Sequence, residues 1–408
     1  MKILISCYAC SPYKGSEPGM GWNFVRCLSG MHELHIITES KFQPDLEMYF
    51  TEHPEERKAY HFYFIQKNRH KRLRKIWPPS YYWFYRKWQQ KAFVFAKELD
   101  TKEHFDLIHQ LNMIGYREPG YLWKMNKPYV WGPIGGFNIT PWKLLPSMGL
   151  YGSIFFFLRN LINLWQMHTN SRVKNAICKA DAVICATQED KERILKLWGV
   201  HSLLISEVGL TDRQVFQNSV MERFPNNLLK VCWSGLHIPR KSLNLLIESL
   251  AICSNRDNIE LHVLGSGTCT NKWKNLSRKL RLSNIRWYGN IDRNNAMEVM
   301  GNCHVFTQTS LSDATSTVLL EALSMGIPVI ALNHLGFANV LTNDCGIKIN
   351  VTTKKKVVND IAHALDWLYE HEEKRREMSI GAYERAKAFS WEHKAEMIDE
   401  IYKKIVNQ

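Results

Sequence analysis

Asp313 and Glu321 stand eight positions apart, one on each side of three hydroxyl residues, Thr315, Ser316 and Thr317. The apolar run ending at Phe306 reads as a buried strand. Val318-Leu319-Leu320, Leu323 and Met325 have helical spacing, and Pro328 to Leu332 reads as the next buried strand. Strand, loop, helix and strand make one βαβ unit of a parallel sheet. The hydroxyls fall at the helix entrance, where they are suited to capping free backbone N–H groups. Such an entrance also attracts anions, phosphate above all, through its unpaired donors and the positive end of the helix dipole. Capping alone, with a solvated glutamate, is the simpler reading. Against it, Glu321 follows three apolar residues in a helix that should be mostly buried, so its carboxylate needs a partner. The hydroxyls of a nucleotide ribose would serve.

A second cationic loop lies upstream. Leu229 to Trp233 reads as a strand, Ser234 to Ser242 as its loop and Leu243 to Leu250 as a helix, so Arg240 and Lys241 stand at a helix entrance. Adjacent cations there are often only solvated, but they oppose what the dipole prefers, and an anionic ligand would resolve the mismatch.

The same βα rhythm runs along the chain. Strands are expected at Lys2–Cys7, Glu33–Thr38, Tyr60–Gln66, Asp106–Gln110, Pro128–Pro133 and Ala180–Ala186, then from Leu229, Ile259, Asn284, Phe306 and Pro328. The first strand leads into a turn with Gly15, Ser16, Gly19 and Gly21, whose glycines let backbone approach a ligand before a helix that starts near Gly21. That turn is neither a G-x-G-x-x-G nor a Walker loop. Residues 217–228 are polar, carry Pro225-Asn226-Asn227 and read as a linker.

A chain of 408 residues can hold two domains with substantial cores, and 45% hydrophobic with 23% charged residues is a globular composition. Ten scattered cysteines do not make a small disulfide framework, and Cys7-x-x-Cys10 has no second pair to complete a zinc site. The amino terminus is interrupted too soon for a signal peptide, and no apolar run reaches the ~20 residues that span a bilayer. A cytoplasmic protein is expected. The formal charge of +14 calls for an acidic partner: nucleic acid, an anionic membrane or a phosphorylated substrate.

Two blocks bear on that choice. Lys67 to Lys91 interleaves Lys and Arg with Trp77, Tyr81, Tyr82, Trp83, Phe84, Tyr85 and Trp88, which suits stacked bases, a lipid interface or a basic loop before a core helix. Pro141 to Met167 carries Ile154 to Leu158, Leu161, Ile162, Leu164 and Trp165, with only Lys143 and Arg159 charged. So little charge excludes a nucleic-acid surface. Membrane contact is favoured, with core burial as the alternative.

Asp313-x7-Glu321, followed by Ala322 to Ile330 with its Gly326-Ile327-Pro328-Val329-Ile330 strand, resembles the signature of retaining glycosyltransferases of the GT-B fold, family 4 group. That signature is Glu-x7-Glu with glycines after the first Glu; here the first acid is Asp and the glycines are replaced by Ala314-Thr315-Ser316. Lys241 matches the lysine of the family's Gly-Arg-Leu-x-x-x-Lys-Gly loop, whereas Leu236 stands where the family has Arg; Arg240 can compensate.

The resemblance implies an α/β fold of two doubly wound Rossmann-like domains facing across a cleft. It implies an acceptor domain over 1–216, the linker, a nucleotide-sugar domain over 229–388, and a helix over 389–408 crossing back to the first domain. The implied activity is sugar transfer with retention from a nucleotide sugar to a glycan or lipid-linked sugar, in surface-polysaccharide synthesis of the bacterial type. Asp313, Lys241 and Arg240 would act on the reacting donor. Glu321, Thr315, Ser316, Thr317, Gly235, Gly267, Tyr288 and Gly289 would bind it, and Gly15, Ser16, Gly19, His109, Tyr116, Arg117 and Glu118 would line the acceptor side. No metal and no cofactor beyond the donor is expected, and no nucleic acid. The expected place is peripheral, on the anionic inner face of the cell membrane. A same-fold epimerase or a non-enzymatic binder of nucleic acid or anionic membrane is the alternative.

Overall fold

The computed structural model describes residues 1–68, 72, 76, 80–211 and 227–407. The chain divides into two compact units, one built from Met1–Phe137, Trp165–Glu207 and the carboxy-terminal segment from Trp391, the other from Asn138–Leu164 and Val208–Ser390. The expected linker at 217–228 lies almost wholly outside the described residues.

In the first unit seven strands form one parallel sheet: β1 (Lys2–Cys7), β2 (Glu33–Glu39), β3 (Tyr60–Ile65), β4 (Leu107–Asn112), β5 (Tyr129–Ile134), β6 (Ala182–Cys185) and β7 (Leu203–Leu204), in the order β3-β2-β1-β4-β5-β6-β7. Ile3, Leu4 and Ile5 are fully buried, as expected of a strand covered by helices on both faces. The helix Ser16–Leu28 and the carboxy-terminal helix Trp391–Val406 pack together on this sheet. Trp391, Ala395, Ile398 and Tyr402, spaced about one turn apart, supply the buried stripe of the latter.

In the second unit six strands form the other parallel sheet: β8 (Leu229–Ser234), β9 (Ile259–Leu264), β10 (Ile285–Gly289), β11 (Val305–Gln308), β12 (Val329–Leu332) and β13 (Gly346–Ile349), ordered β10-β9-β8-β11-β12-β13. Along β8, Val231 and Trp233 join one apolar cluster and Cys232 the other, the period-two alternation that divides a sheet's two faces.

The strand order reverses direction between β1 and β4 in one sheet and between β8 and β11 in the other. At such switch points the loops leaving the strands' carboxyl ends diverge and open a crevice for ligands.

The helix Ser16–Leu28 begins earlier than expected, so Gly19 and Gly21 lie inside it. A side chain at Gly19 would strike the carbonyl of Lys14, and one at Gly21 the carbonyl of Ala9. Their smallness therefore serves packing against the chain's own backbone. Cys7 and Cys10 are buried free thiols, and the Cys7 thiol points to the Ala9 carbonyl.

Both aromatic blocks divide between core and surface. Tyr85 and Trp88, on the helix Ser80–Glu103, are buried, and the Trp88 indole donates to the Ile65 carbonyl at 2.8 Å. Lys67 is buried too, donating to the Tyr8 hydroxyl at 3.0 Å. Tyr82 and Trp83 are exposed, and Trp77 lies outside the described residues. In the second block, the helix Gly149–Thr169 turns Phe156, Asn160 and Asn163 inward and leaves Leu150, Tyr151, Ile154, Phe155, Leu158 and Ile162 exposed. Core burial thus accounts for only one face of it. No helix among the described residues is long and apolar enough to cross a membrane.

Candidate active site

The switch point of the second sheet gathers the residues singled out for chemistry. The loop after β8 holds Gly235 to Ser242, and the loop after the neighbouring β11 holds Thr309 to Ser316. Their backbones are tied: the Leu311 N–H donates to the Arg240 carbonyl at 2.8 Å, and the Thr309 hydroxyl donates to the Lys241 carbonyl at 2.8 Å. Thr309 in turn accepts from the Trp233 indole at 3.0 Å, anchoring the loop to the core of β8.

On this frame the Lys241 ammonium pairs with Asp313 Oδ2. The Arg240 guanidinium lies 3.2 Å from Asp313 Oδ1 and donates to the Ser312 carbonyl at 2.6 Å. One carboxylate thus bridges two cations, which leaves one positive charge over. Ser242, with φ of 46°, turns the chain from this loop into the helix Leu243–Ile252. His334, entering after β12, contacts the Ser310 carbonyl through Nε2 at 3.0 Å.

The hydroxyl triad stands where expected, at the entrance to the helix Thr317–Ser324, with Ser316 as its first flanking residue. The Ser316 side chain nevertheless makes no capping bond. Thr315 packs against Gly336, where any side chain would strike the Thr315 hydroxyl. This entrance lies on the same loop as Asp313, the partner of the Lys241 and Arg240 cations.

Glu321 is buried, and its partner within the protein is Arg293, at the start of the helix Arg293–Gly301. Arg293 was not among the expected site residues. The arginine side chain is 60% exposed and the glutamate side chain 9%, so the ion pair opens to solvent on its Arg293 side. The only sequence signal for it was the demand of Glu321 for a partner.

Gly235 and Gly267 lie in the loops after β8 and β9, and Gly289 is the last residue of β10. The Gly265 N–H donates to the Gly289 carbonyl at 2.8 Å, and a side chain at Gly267 would strike the His237 carbonyl. Tyr288 stacks on His262 and shares a 2.8 Å hydrogen bond with it through its hydroxyl.

The first unit scatters its expected residues. Gly15 and Ser16 are exposed after β1, and Ser16 has φ of 57°. Glu17 closes this turn by accepting from the Ile114 N–H at 2.8 Å, and burial raises its pKa. His109, Tyr116 and Glu118 are instead built into the core. His109 is fully buried, with Nε2 at 2.6 Å from the Gly132 carbonyl and Nδ1 bonded to the Tyr402 hydroxyl. Because the carbonyl can only accept, Nε2 carries the hydrogen and Nδ1 accepts; desolvation lowers the histidine pKa to about 4. Tyr116 is buried and stacked on Phe137 with centroids 4.0 Å apart. Glu118 is buried against Arg172, with contacts of 2.5 and 3.2 Å. Arg117 donates to Gln166 at 2.6 Å. All four meet partners inside their own unit, which strand-end position alone did not foretell.

Among the described residues Glu33, His35 and His61 place possible metal-ligand atoms within 4.8 Å of one another. The Lys2 ammonium, 3.4 Å from Glu33, already supplies a cation there.

Residues 215–385 match the family model described as glycosyl transferases group 1. The matched segment includes both loops of the switch point, and so all of Arg240, Lys241, Asp313 and Glu321. Over 314 residues the chain is 20% identical to the uncharacterized glycosyltransferase MJ1178 of Methanocaldococcus jannaschii, covering 77% of this chain and 80% of that one. It is 29% identical over 162 residues to the lipopolysaccharide glucosyltransferase WaaG of Escherichia coli, covering 38% of this chain and only 41% of WaaG. Anabaena Alr3699/HepE, solved in complex with UDP, has a similar structure, with a TM-score of 0.64 at 15% identity over 99% of this chain and 100% of that one. The two-unit α/β architecture is therefore that of GT-B glycosyltransferases.

Proposed function

We propose that the chain transfers a hexose, with retained anomeric configuration, from a nucleotide sugar to a glycan or lipid-linked sugar during surface-polysaccharide assembly. The observation that carries the donor half is the joining of Lys241, Arg240 and Asp313 at the switch point beside the helix entrance at Ser316. In this reading the donor diphosphate takes over the two cations, and the released Asp313 turns to the sugar. As the bond from the anomeric carbon to the diphosphate oxygen breaks, the electron pair stays on the diphosphate, the acceptor hydroxyl oxygen bonds to that carbon on the same face, and its proton passes to the departing diphosphate oxygen. Its growing charge is stabilised by Lys241, Arg240 and the first N–H groups of the helix Thr317–Ser324. Glu321, held by Arg293, meets the ribose hydroxyls. UDP bound in HepE and the glucosyltransferase activity named for WaaG support a nucleotide-sugar donor.

The acceptor half draws on the exposed face of the helix Gly149–Thr169, on exposed Tyr82 and Trp83, and on the formal charge of +14, which suit the anionic inner face of a cell membrane. The basic run at 69–75, proposed to join in, lies outside the described residues apart from Arg72. The activity is tested by supplying a panel of nucleotide sugars and following the product by proton NMR. A product anomer matching that of the donor supports retention, an inverted anomer contradicts it, and a free epimerised sugar nucleotide points to an epimerase.

A further inference from the structure

The helix Gly149–Thr169 is mixed on its inward face, where Phe156 is buried beside two asparagines, and apolar on its outward face. Its inward face carries Asn160, which bonds the backbone of Thr140 at 2.8 and 3.1 Å, and Asn163, which donates to the Asn138 carbonyl at 3.0 Å. Its outward face carries Leu150, Tyr151, Ile154, Phe155, Leu158 and Ile162, each more than half exposed. On a soluble helix the apolar stripe faces the core. Here a second apolar stripe faces away, and an apolar exterior phase is what such a stripe fits.

A cavity of about 830 Å³ opens at the start of this helix. Pro146, Ser147 and Gly149 form one wall, and Lys272, Arg278, Lys279 and Lys354 bring four cations against the single acid Glu248. Glu248 is itself paired with Lys354 at 2.7 Å. Lys272 and Lys279 meet no carboxylate among the described residues. Gly149, with φ of 76°, places no side chain here, and the Lys272 ammonium occupies the space that one would fill. Leu150 and Tyr151, about 80% exposed, stand at the next two positions. The apolar face therefore begins at the rim of the basic cavity.

We propose that this cavity binds the phosphate headgroup of an anionic phospholipid whose acyl region meets the apolar face of the helix. The cavity lining shares no residue with the switch-point cluster. The inference rests on the membrane part of the proposed function and names its ligand. A free anion would account for the cations but not for the stripe; an acidic amphiphile accounts for both.

The test is flotation with phosphatidylcholine vesicles, with or without phosphatidylglycerol, using wild type, the triple variant Lys272→Ala/Lys279→Ala/Lys354→Ala, and the variant Leu150→Ser/Phe155→Ser. Wild type should bind only the anionic vesicles. The triple variant should lose affinity on the order of 100-fold, since each lysine near an anionic surface strengthens binding by roughly fivefold. The serine variant should also release, and both variants should keep the wild-type melting temperature and donor hydrolysis. Wild type that ignores anionic vesicles overturns this inference together with the membrane reading. Wild type that binds while the triple variant binds equally well overturns the cavity alone. Full binding by the serine variant, with glycerol 3-phosphate held by wild type and lost in the triple variant, makes the cavity a site for a soluble phosphate and overturns the lipid claim.

Discussion

The Lys241 ammonium is paired with the Asp313 carboxylate, although 72 positions separate the two residues. They meet because β8 and β11 are sheet neighbours while β9 and β10 lie beyond β8. A donor diphosphate must compete with Asp313 for this cation, so Lys241→Ala should lower turnover more than donor binding. A loss of about 100-fold in kcat, the scale of removing one charge-stabilising donor, is expected in steady-state kinetics. A rise in KM with kcat unchanged would place Lys241 in ground-state binding alone.

Glu321 and Arg293 should act as a unit. Glu321→Gln should weaken nucleotide-sugar binding by about 2 kcal/mol in calorimetry, the worth of a charge-assisted hydrogen bond. Arg293→Ala should weaken it less, and the double variant should fall short of the sum of the two. Strict additivity would mean that the ion pair does not orient the carboxylate.

Much of this was legible in the sequence. Alternating strand and helix periods gave the parallel sheets, and the Pro328 to Leu332 strand with the helix before it gave the order around Asp313. Arg293 was not legible, because it reaches Glu321 from a helix whose own pattern signals nothing. Nor was the inward role of His109, Tyr116 and Glu118. A histidine, a tyrosine and a glutamate near strand ends look alike whether they face a ligand or a carbonyl, a ring and an arginine. The stripe of Gly149–Thr169 reads from sequence as favouring membrane contact with a core as the alternative, and only the placement of Asn160 and Asn163 shows which face turns in.

The structural role of His109 gives a pH prediction. Its pKa falls from 6.5 to about 4 on burial, so the unfolded chain binds the proton more readily across that range. The histidine's contribution is fully present above about pH 6.5 and is lost as pH falls towards 4, by roughly 3 kcal/mol in all. Urea denaturation of wild type and His109→Gln at several pH values should show the wild type losing that much more stability on acidification. Parallel pH profiles would contradict the assignment.

Glu118 should matter for stability and not for chemistry. Arg172→Ala strands a buried carboxylate and should cost about 3 kcal/mol in denaturant unfolding, with kcat per folded molecule unchanged. A stable variant with a raised acceptor KM would return Glu118 to the acceptor site.

In the proposed function the Lys241–Arg240–Asp313 cluster is the diphosphate site of a nucleotide-sugar donor. Calorimetric titration of wild type and Lys241→Ala with nucleoside diphosphates and the corresponding nucleosides tests it most directly. Wild type should prefer one diphosphate over its nucleoside by at least about 10-fold, a single charged contact's worth, and Lys241→Ala should abolish most of that preference. Equal affinity for diphosphate and nucleoside in wild type, or a preference untouched by Lys241→Ala, would contradict it.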